Sequence, residues 1–134
     1  MARILIIEDN RANMKLATLL VRNAGHTALC ATDAETGLTM ARGDQPDLIL
    51  MDIQLPGMDG LAATVLLKKD PATAAIPVIA LTAMAMKADL EKTQVAGCDA
   101  YIAKPLRYQE LYGAIDALLL NGKSPAVRAA DPLS

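Results

Sequence analysis

With 134 residues and 14.1 kDa the chain has room for one compact domain, and a second folded domain does not fit. A composition of 53% apolar and 21% charged residues can bury a full core, which excludes a disordered linker or a fibrous chain. Thirteen basic against fifteen acidic side chains give a net charge of -2 without any Lys/Arg-rich run, so direct nucleic-acid binding has no electrostatic footprint.

Phe and Trp are absent, and Tyr101, Tyr108 and Tyr112 are the whole aromatic complement, too few for a base-stacking platform. Cys30 and Cys98 lack C-x-x-C spacing and read as reduced thiols of a cytoplasmic protein. No stretch approaches the ~20 apolar residues that span a bilayer, so membrane insertion is not expected. The only serines are Ser124 and Ser134 and the only histidine is His26, which closes off a Ser-His-acid triad and a His-rich metal site. His26 follows Gly25 at a turn and is read as a solvated side chain. Gly57 and Gly60 match neither G-x-x-x-x-G-K-[ST] nor G-x-G-x-x-G, leaving nucleotide phosphates without a cradle.

In chain order, Arg3 to Glu8 is a short, continuously apolar, β-branched run and predicts a strand buried on both faces, as in a parallel sheet. Met14, Ala17, Leu20, Val21 and Ala24 recur at helical spacing between Asn10 and Ala24, with Gly25 as the stop. Thr27 to Ala31 is a weak strand, and Thr32-x-x-Glu35 predicts a capping box opening a helix through Ala41, closed by Gly43. Asp47 to Asp52 repeats the apolar run ended by an acid, and Leu55-Pro-Gly-Met-Asp-Gly60 is a dense turn signal before a helix over Leu61 to Lys69. Pro77 to Thr82 is another buried strand, followed by a helix near Lys87 to Ala96. Ala100 to Lys104 is a fifth strand, and Leu111, Ile115 and Leu118 stripe a final helix ending near Leu120. Five strand-helix alternations predict an α/β, doubly wound parallel sheet of the flavodoxin-like class over residues 1–120. Residues 121–134, rich in Gly, Lys, Ser, Pro and Ala, are expected to form a mobile tail.

Ligands of open parallel sheets bind beyond the carboxyl ends of the strands. Those ends carry Glu8 and Asp9, Asp52, Thr82 and Lys104, each directly after an apolar run. Three carboxylates in one small site repel one another unless a hard cation neutralises them, and oxygen-only ligation points to Mg2+. Lys104 and Thr82 beside such an ion suit a phosphoryl group, and Asp52, alone on its strand end, is the candidate nucleophile.

Glu8-Asp9-Asn10, Leu50-Met-Asp52-Ile-Gln-Leu-Pro56-Gly-Met-Asp-Gly60, Leu81-Thr82-Ala83 and Tyr101-Ile-Ala-Lys104-Pro105, in that order, resemble the receiver domain of two-component response regulators, the CheY-like family. The resemblance runs from Arg3 to Leu120, and its wording around Asn13-Met-Lys15 and Met84-Ala-Met-Lys87 is most similar to DivK-type single-domain regulators. It implies a five-stranded sheet in the order 2-1-3-4-5. It further implies that Asp52 accepts a phosphoryl group from a histidine kinase or histidine phosphotransfer protein. Asp9, Asp52 and the backbone carbonyl of Gln54 would hold Mg2+, with Glu8, where many members carry Asp, acting through water. Lys104 would contact the phosphoryl group, Ala83 would leave room for it, and Thr82 and Tyr101 would be the switch residues that alter the helix 4/strand 5/helix 5 face.

Such a domain is a phosphoacceptor switch rather than a turnover enzyme, signalling to a downstream kinase or regulator protein. Met84 and Met86 suit either that contact surface or the core. A Mg2+-dependent phosphohydrolase of the haloacid dehalogenase pattern would need a second Asp two residues after Asp52, where Gln54 stands. A phosphate-independent scaffold is disfavoured because every phosphorylation position is filled.

Overall fold

The computed structural model describes residues 2–83 and 87–120, so the expected tail and the readings of Met84 and Met86 lie outside the described residues. Ten elements alternate as predicted: β1 (Arg3–Ile7), α1 (Arg11–Asn23), β2 (Thr27–Ala31), α2 (Ala34–Asp44), β3 (Leu48–Asp52), α3 (Gly60–Lys69), β4 (Val78–Thr82), α4 (Lys87–Ala96), β5 (Ala100–Ala103) and α5 (Tyr108–Leu120). All strand pairs are parallel, and the sheet order is β2-β1-β3-β4-β5, as the family resemblance implied.

The two-residue period of a strand explains why the apolar runs are continuous. Ile4 and Ile6 of β1 join Leu48, Leu50, Ile79, Leu81 and Ile102 on one face, covered by Ala17 and Val21 of α1 and Leu111, Ile115 and Leu118 of α5. Leu5 and Ile7 join Ile49, Met51 and Val78 on the other, covered by Leu38 and Ala41 of α2 and Ala63 and Leu67 of α3. Burying each such aliphatic side chain contributes about 1.5–3 kcal/mol, so the polar residues at the strand ends are exceptions to what drives the fold. β2 is weakly apolar because it is an edge strand, with Thr27 and Cys30 exposed.

Three local readings are corrected. The cap of α2 is Asp33, whose side chain accepts the Thr36 N–H at 2.7 Å, one residue beyond the predicted Thr32. That helix also continues through Gly43 to Asp44, and its left-handed terminal residue is Gln45, with φ of 49°. Gln45 donates its side-chain amide to the carbonyls of Ala41, Arg42 and Ala72, supplying the partners that a glycine turn would have had to provide. His26 is half-buried rather than solvated, its Nδ1 accepting the Ala2 N–H at 3.0 Å.

Candidate functional site

β1 and β3 are neighbours at the point where the strand order reverses, and the acids lie just beyond their carboxyl ends. Asp52 is the last residue of β3 and Glu8 the first beyond β1; they are 3% and 1% exposed, whereas Asp9 faces solvent. Carboxylate oxygens of Glu8, Asp9 and Asp52 lie within 4.8 Å of one another. The Lys104 Nζ donates to Glu8 Oε1 at 3.0 Å and stands 3.2 Å from Asp52 Oδ2.

The backbone brings these groups together. Lys104 N–H donates to the Thr82 carbonyl at 2.7 Å, so β4 and β5 stay in step up to the residue where Lys104 leaves the sheet. Thr82, the last residue of β4, is buried there. After Asp52 the chain turns: the Ile53 N–H bonds the Leu81 carbonyl at 3.0 Å and the Gln54 N–H bonds Asp52 Oδ1 at 3.0 Å. Gly57 has a φ of 72°, a conformation that glycine adopts without strain, and the turn closes when the Gly60 N–H reaches the Ile53 carbonyl at 2.9 Å. A groove of about 450 Å³ opens beside Glu8 and Asp9, with Arg11 and Lys15 of α1 on its wall.

Burial pushes the Glu8 carboxyl above its ordinary value, and the neighbouring Asp52 carboxylate adds to this; the Asn10 amide and Lys104 pull the other way without prevailing. For Lys104 burial opposes the charge. Its hydrogen bond to Glu8 and the charges of Asp52 and Glu8 outweigh that, and hold it cationic with a pKa above the ordinary lysine value. Three carboxylates against one ammonium leave two negative charges in a site with oxygen donors only, which matches a hard divalent cation in charge and donor type.

Residues 4–116 match the response regulator receiver domain. The chain belongs to the response regulator receiver family. The polar-differentiation response regulator DivK of Brucella anthropi is 44% identical over 116 residues, covering 87% of this chain and 94% of that protein, and DivK of Brucella ovis matches to the same extent. The receiver domain of a sensor histidine kinase from Pseudomonas aeruginosa superposes with a TM-score of 0.80 at 33% identity, over 86% of this chain and 94% of that one. That structure is described with a magnesium ion coordinated in its active site cleft. The chemotaxis protein CheY4 of Vibrio cholerae, with a TM-score of 0.82 at 20% identity over 87% of this chain and 97% of that one, shares the fold. The chain is therefore a DivK-like receiver of two-component signalling with an acidic pocket.

Of the residues singled out in this receiver, Glu8 and Asp52 both meet Lys104, a carboxylate oxygen of Asp9 lies within 4.8 Å of theirs, and Thr82 ends the strand beside Asp52. Gln54 enters the site through its N–H to Asp52. Tyr101, on β5, is 43% exposed and so is not core filler. Asn10 was missed as a site residue. Its N–H donates to Glu8 Oε2 at 3.1 Å while its side chain caps α1, and its place next to the acidic pair was the available signal. No helix among the described residues is long and apolar enough to cross a membrane.

Proposed function

We propose that this receiver accepts a phosphoryl group on Asp52 from the phosphohistidine of a kinase or phosphotransfer protein and passes the signal on through protein contacts. The observation that carries this reading is the Lys104 ammonium 3.2 Å from Asp52 Oδ2, beside the buried carboxyls of Glu8 and Asp52. In the transfer an Asp52 oxygen forms a bond to phosphorus as the phosphorus–nitrogen bond breaks, and the imidazole leaves with the bonding electron pair and takes up a proton. Lys104, whose surroundings keep it charged, faces the negative charge that gathers on the phosphoryl oxygens.

Asp9, Asp52 and the Gln54 carbonyl would hold Mg2+, with Glu8 behind them. The bound ion would offset the repulsion between the acids and an incoming phosphate. The Asp52 oxygens have their own holders, the Gln54 N–H and Lys104, so the carboxylate is aimed before a donor arrives. Thr82, buried at the strand end, and Tyr101, exposed on β5, would be the residues that change place on phosphorylation and remodel the face of α4, β5 and α5. Tyr101 itself, 43% exposed on β5, would give that face apolar contact area.

The test is incubation with acetyl phosphate, with and without Mg2+, followed by intact mass and tyrosine fluorescence. A gain of one phosphoryl group that requires both Mg2+ and Asp52, and is lost in Asp52→Asn with the fold kept, is the expected result. Labelling of Asp52→Asn at the unaltered rate would refute the assignment, and sustained turnover of a small phosphate ester would mark a hydrolase instead.

A further inference from the structure

α4 is held differently from α2, α3 and α5. Its buried residues are Thr93 and Ala96, both in its second half, and none of residues 87–92 is buried. The other three helices each bury a residue in the first turn, Ala34, Gly60 and Leu111 respectively. The carboxyl end of α4 is tied down from several sides. The Cys98 N–H donates to the Thr93 carbonyl at 3.0 Å and the Gly97 N–H to the Gln94 carbonyl at 3.1 Å. Asp99 bonds the first residue of β4 twice, its N–H donating to the Val78 carbonyl and its Oδ2 accepting the Val78 N–H, each at 2.8 Å. The same Oδ2 accepts from Lys68 Nζ of α3 at 3.1 Å, and the other two N–H groups of that ammonium go to the carbonyls of Ala74 and Ile76. The Lys68 stem lies against Gly97, where an added methyl group would stand 2.9 Å from its Cγ.

The geometry points to the Lys68–Asp99 pair as a pin that fixes the carboxyl end of α4 to α3 and β4, leaving the amino half as the part of the helix that moves. The pin itself stands on the geometry alone; what sets the helix moving rests on the proposed phosphoacceptor reading and deepens it. Local opening follows the packing that each segment would lose. Residues 87–92 have no buried side chain to give up, so tilting that half costs little. Moving the other end would part an ion pair whose side chains are only 21% and 10% exposed, and would strip Lys68 of the carbonyls that complete its shell. α4 follows β4, whose last residue, Thr82, is at the phosphoacceptor end of the sheet. A change there is taken up by the amino half of α4, which turns about the pin while Ala96 stays seated in the protein interior. Lys68 is thus a positioning residue for a helix it does not belong to.

The test is hydrogen exchange of single amides, read by NMR on the full chain. The amides of Glu91 and Lys92 close helical bonds in the unpacked half of α4, and those of Val95 and Ala96 do so in the pinned half. In the unaltered chain the first pair should be about tenfold less protected than the second. It should also be less protected than Tyr112 and Gly113, which stand equally far from the start of α5. Lys68→Met should bring Val95 and Ala96 down to the level of Glu91 and Lys92, measured against the α1 amides, which report any general loss of stability. Asp99→Asn keeps an acceptor for the Val78 N–H without the charge, and should lower the same two amides if Lys68→Met does not fold. Even protection along α4 in the unaltered chain, or a loss at Val95 and Ala96 no larger than in α1 in the variant that folds, overturns the inference. Beryllofluoride with Mg2+, standing in for the phosphoryl group, should alter protection at Glu91 and Lys92 and leave Val95 and Ala96 as they were; an equal change at both ends refutes the pin. If the unaltered chain neither takes label from acetyl phosphate nor responds to beryllofluoride, the proposed function falls, and exchange recorded without either still decides whether α4 is pinned at one end.

Discussion

α3 starts at Gly60 hard against the end of β3, which makes Gly60→Ala a test of both stability and site geometry. A methyl group there would overlap the Asp52 carbonyl oxygen and stand 2.8 Å from Ile53 Cα and 2.9 Å from the Asp52 carbonyl carbon. All three are backbone atoms, so relief requires α3 or the turn after Asp52 to move. Overpacking of this kind costs about 1–3 kcal/mol, and three backbone contacts this close put the site in the upper half of that range, about 2–3 kcal/mol. Alanine regains at most about 1 kcal/mol of helix propensity, which leaves a net loss of roughly 1–2 kcal/mol. Gly113 on α5 is the control, because nothing lies within 4 Å of its added methyl group. Gly113→Ala should stabilise the chain by about 0.5–1 kcal/mol. Urea unfolding, with a slope of ~1–3 kcal/mol/M, should lower the Gly60→Ala midpoint by about 0.5–1 M and raise that of Gly113→Ala. A Gly60→Ala midpoint equal to or above that of the unaltered chain would refute the close-approach argument. Labelling by acetyl phosphate should also slow in Gly60→Ala and stay unchanged in Gly113→Ala, since only the first disturbs the backbone that carries Asp52.

Asn10→Ala removes the cap that accepts the Asn13 N–H and should cost about 1 kcal/mol in thermal unfolding, with labelling slowed because the same residue braces Glu8. Asp33 gives a pH prediction. Its hydrogen bonds with Thr36 lower its pKa below the ordinary 3.8, so its ionised form stabilises the fold above that value and the contribution is lost as the pH falls through the lowered one. Asp33→Asn caps without titrating, so the two proteins should differ in urea midpoint near neutrality and converge in acid; a gap that persists in acid would show that the charge plays no part. Lys68 donates to the carbonyls of Ala74 and Ile76 at 3.3 and 2.8 Å and to Asp99 at 3.1 Å, tying the end of α3 to the start of β4 and the turn before β5. Lys68→Met should therefore cost about 3 kcal/mol by urea unfolding. A loss below ~1 kcal/mol, the worth of a surface pair, would place that network in solvent.

Much of this protein was legible in local patterns. Apolar runs of four or five residues ended by Glu8, Asp52, Thr82 and Lys104 marked both the buried strands and the edge where the chemistry collects, because a strand covered on two faces has no other place for a charge. Strand order came from the family resemblance, since periodicity carries no information about which strands are neighbours. Local signals also misplaced detail. Thr32 and Asp33 are both capping residue types, Asp the better of the two, and the capping-box spacing to Glu35 favoured Thr32, but the backbone path out of β2 puts Asp33 at the cap. Gly43 looked like a stop, but the side chain of Gln45 finds carbonyls in two separate segments and ends the helix two residues later.

The amino-acid sequence by itself determined the alternation of elements, the two-faced core and the kinds of side chain at the strand ends, all of which follow from periods of two and 3.6 residues. Tertiary structure alone decided that Lys104 bonds Glu8 as well as facing Asp52, that Asn10 holds the far oxygen of Glu8, and that Asp9 faces solvent while its two fellow acids are buried. The physical reason is one of range. Periodicity tells which way a side chain points from its own backbone, whereas a 3.0 Å contact between residues 96 positions apart depends on the register of every strand between them and on the rotamers that packing allows.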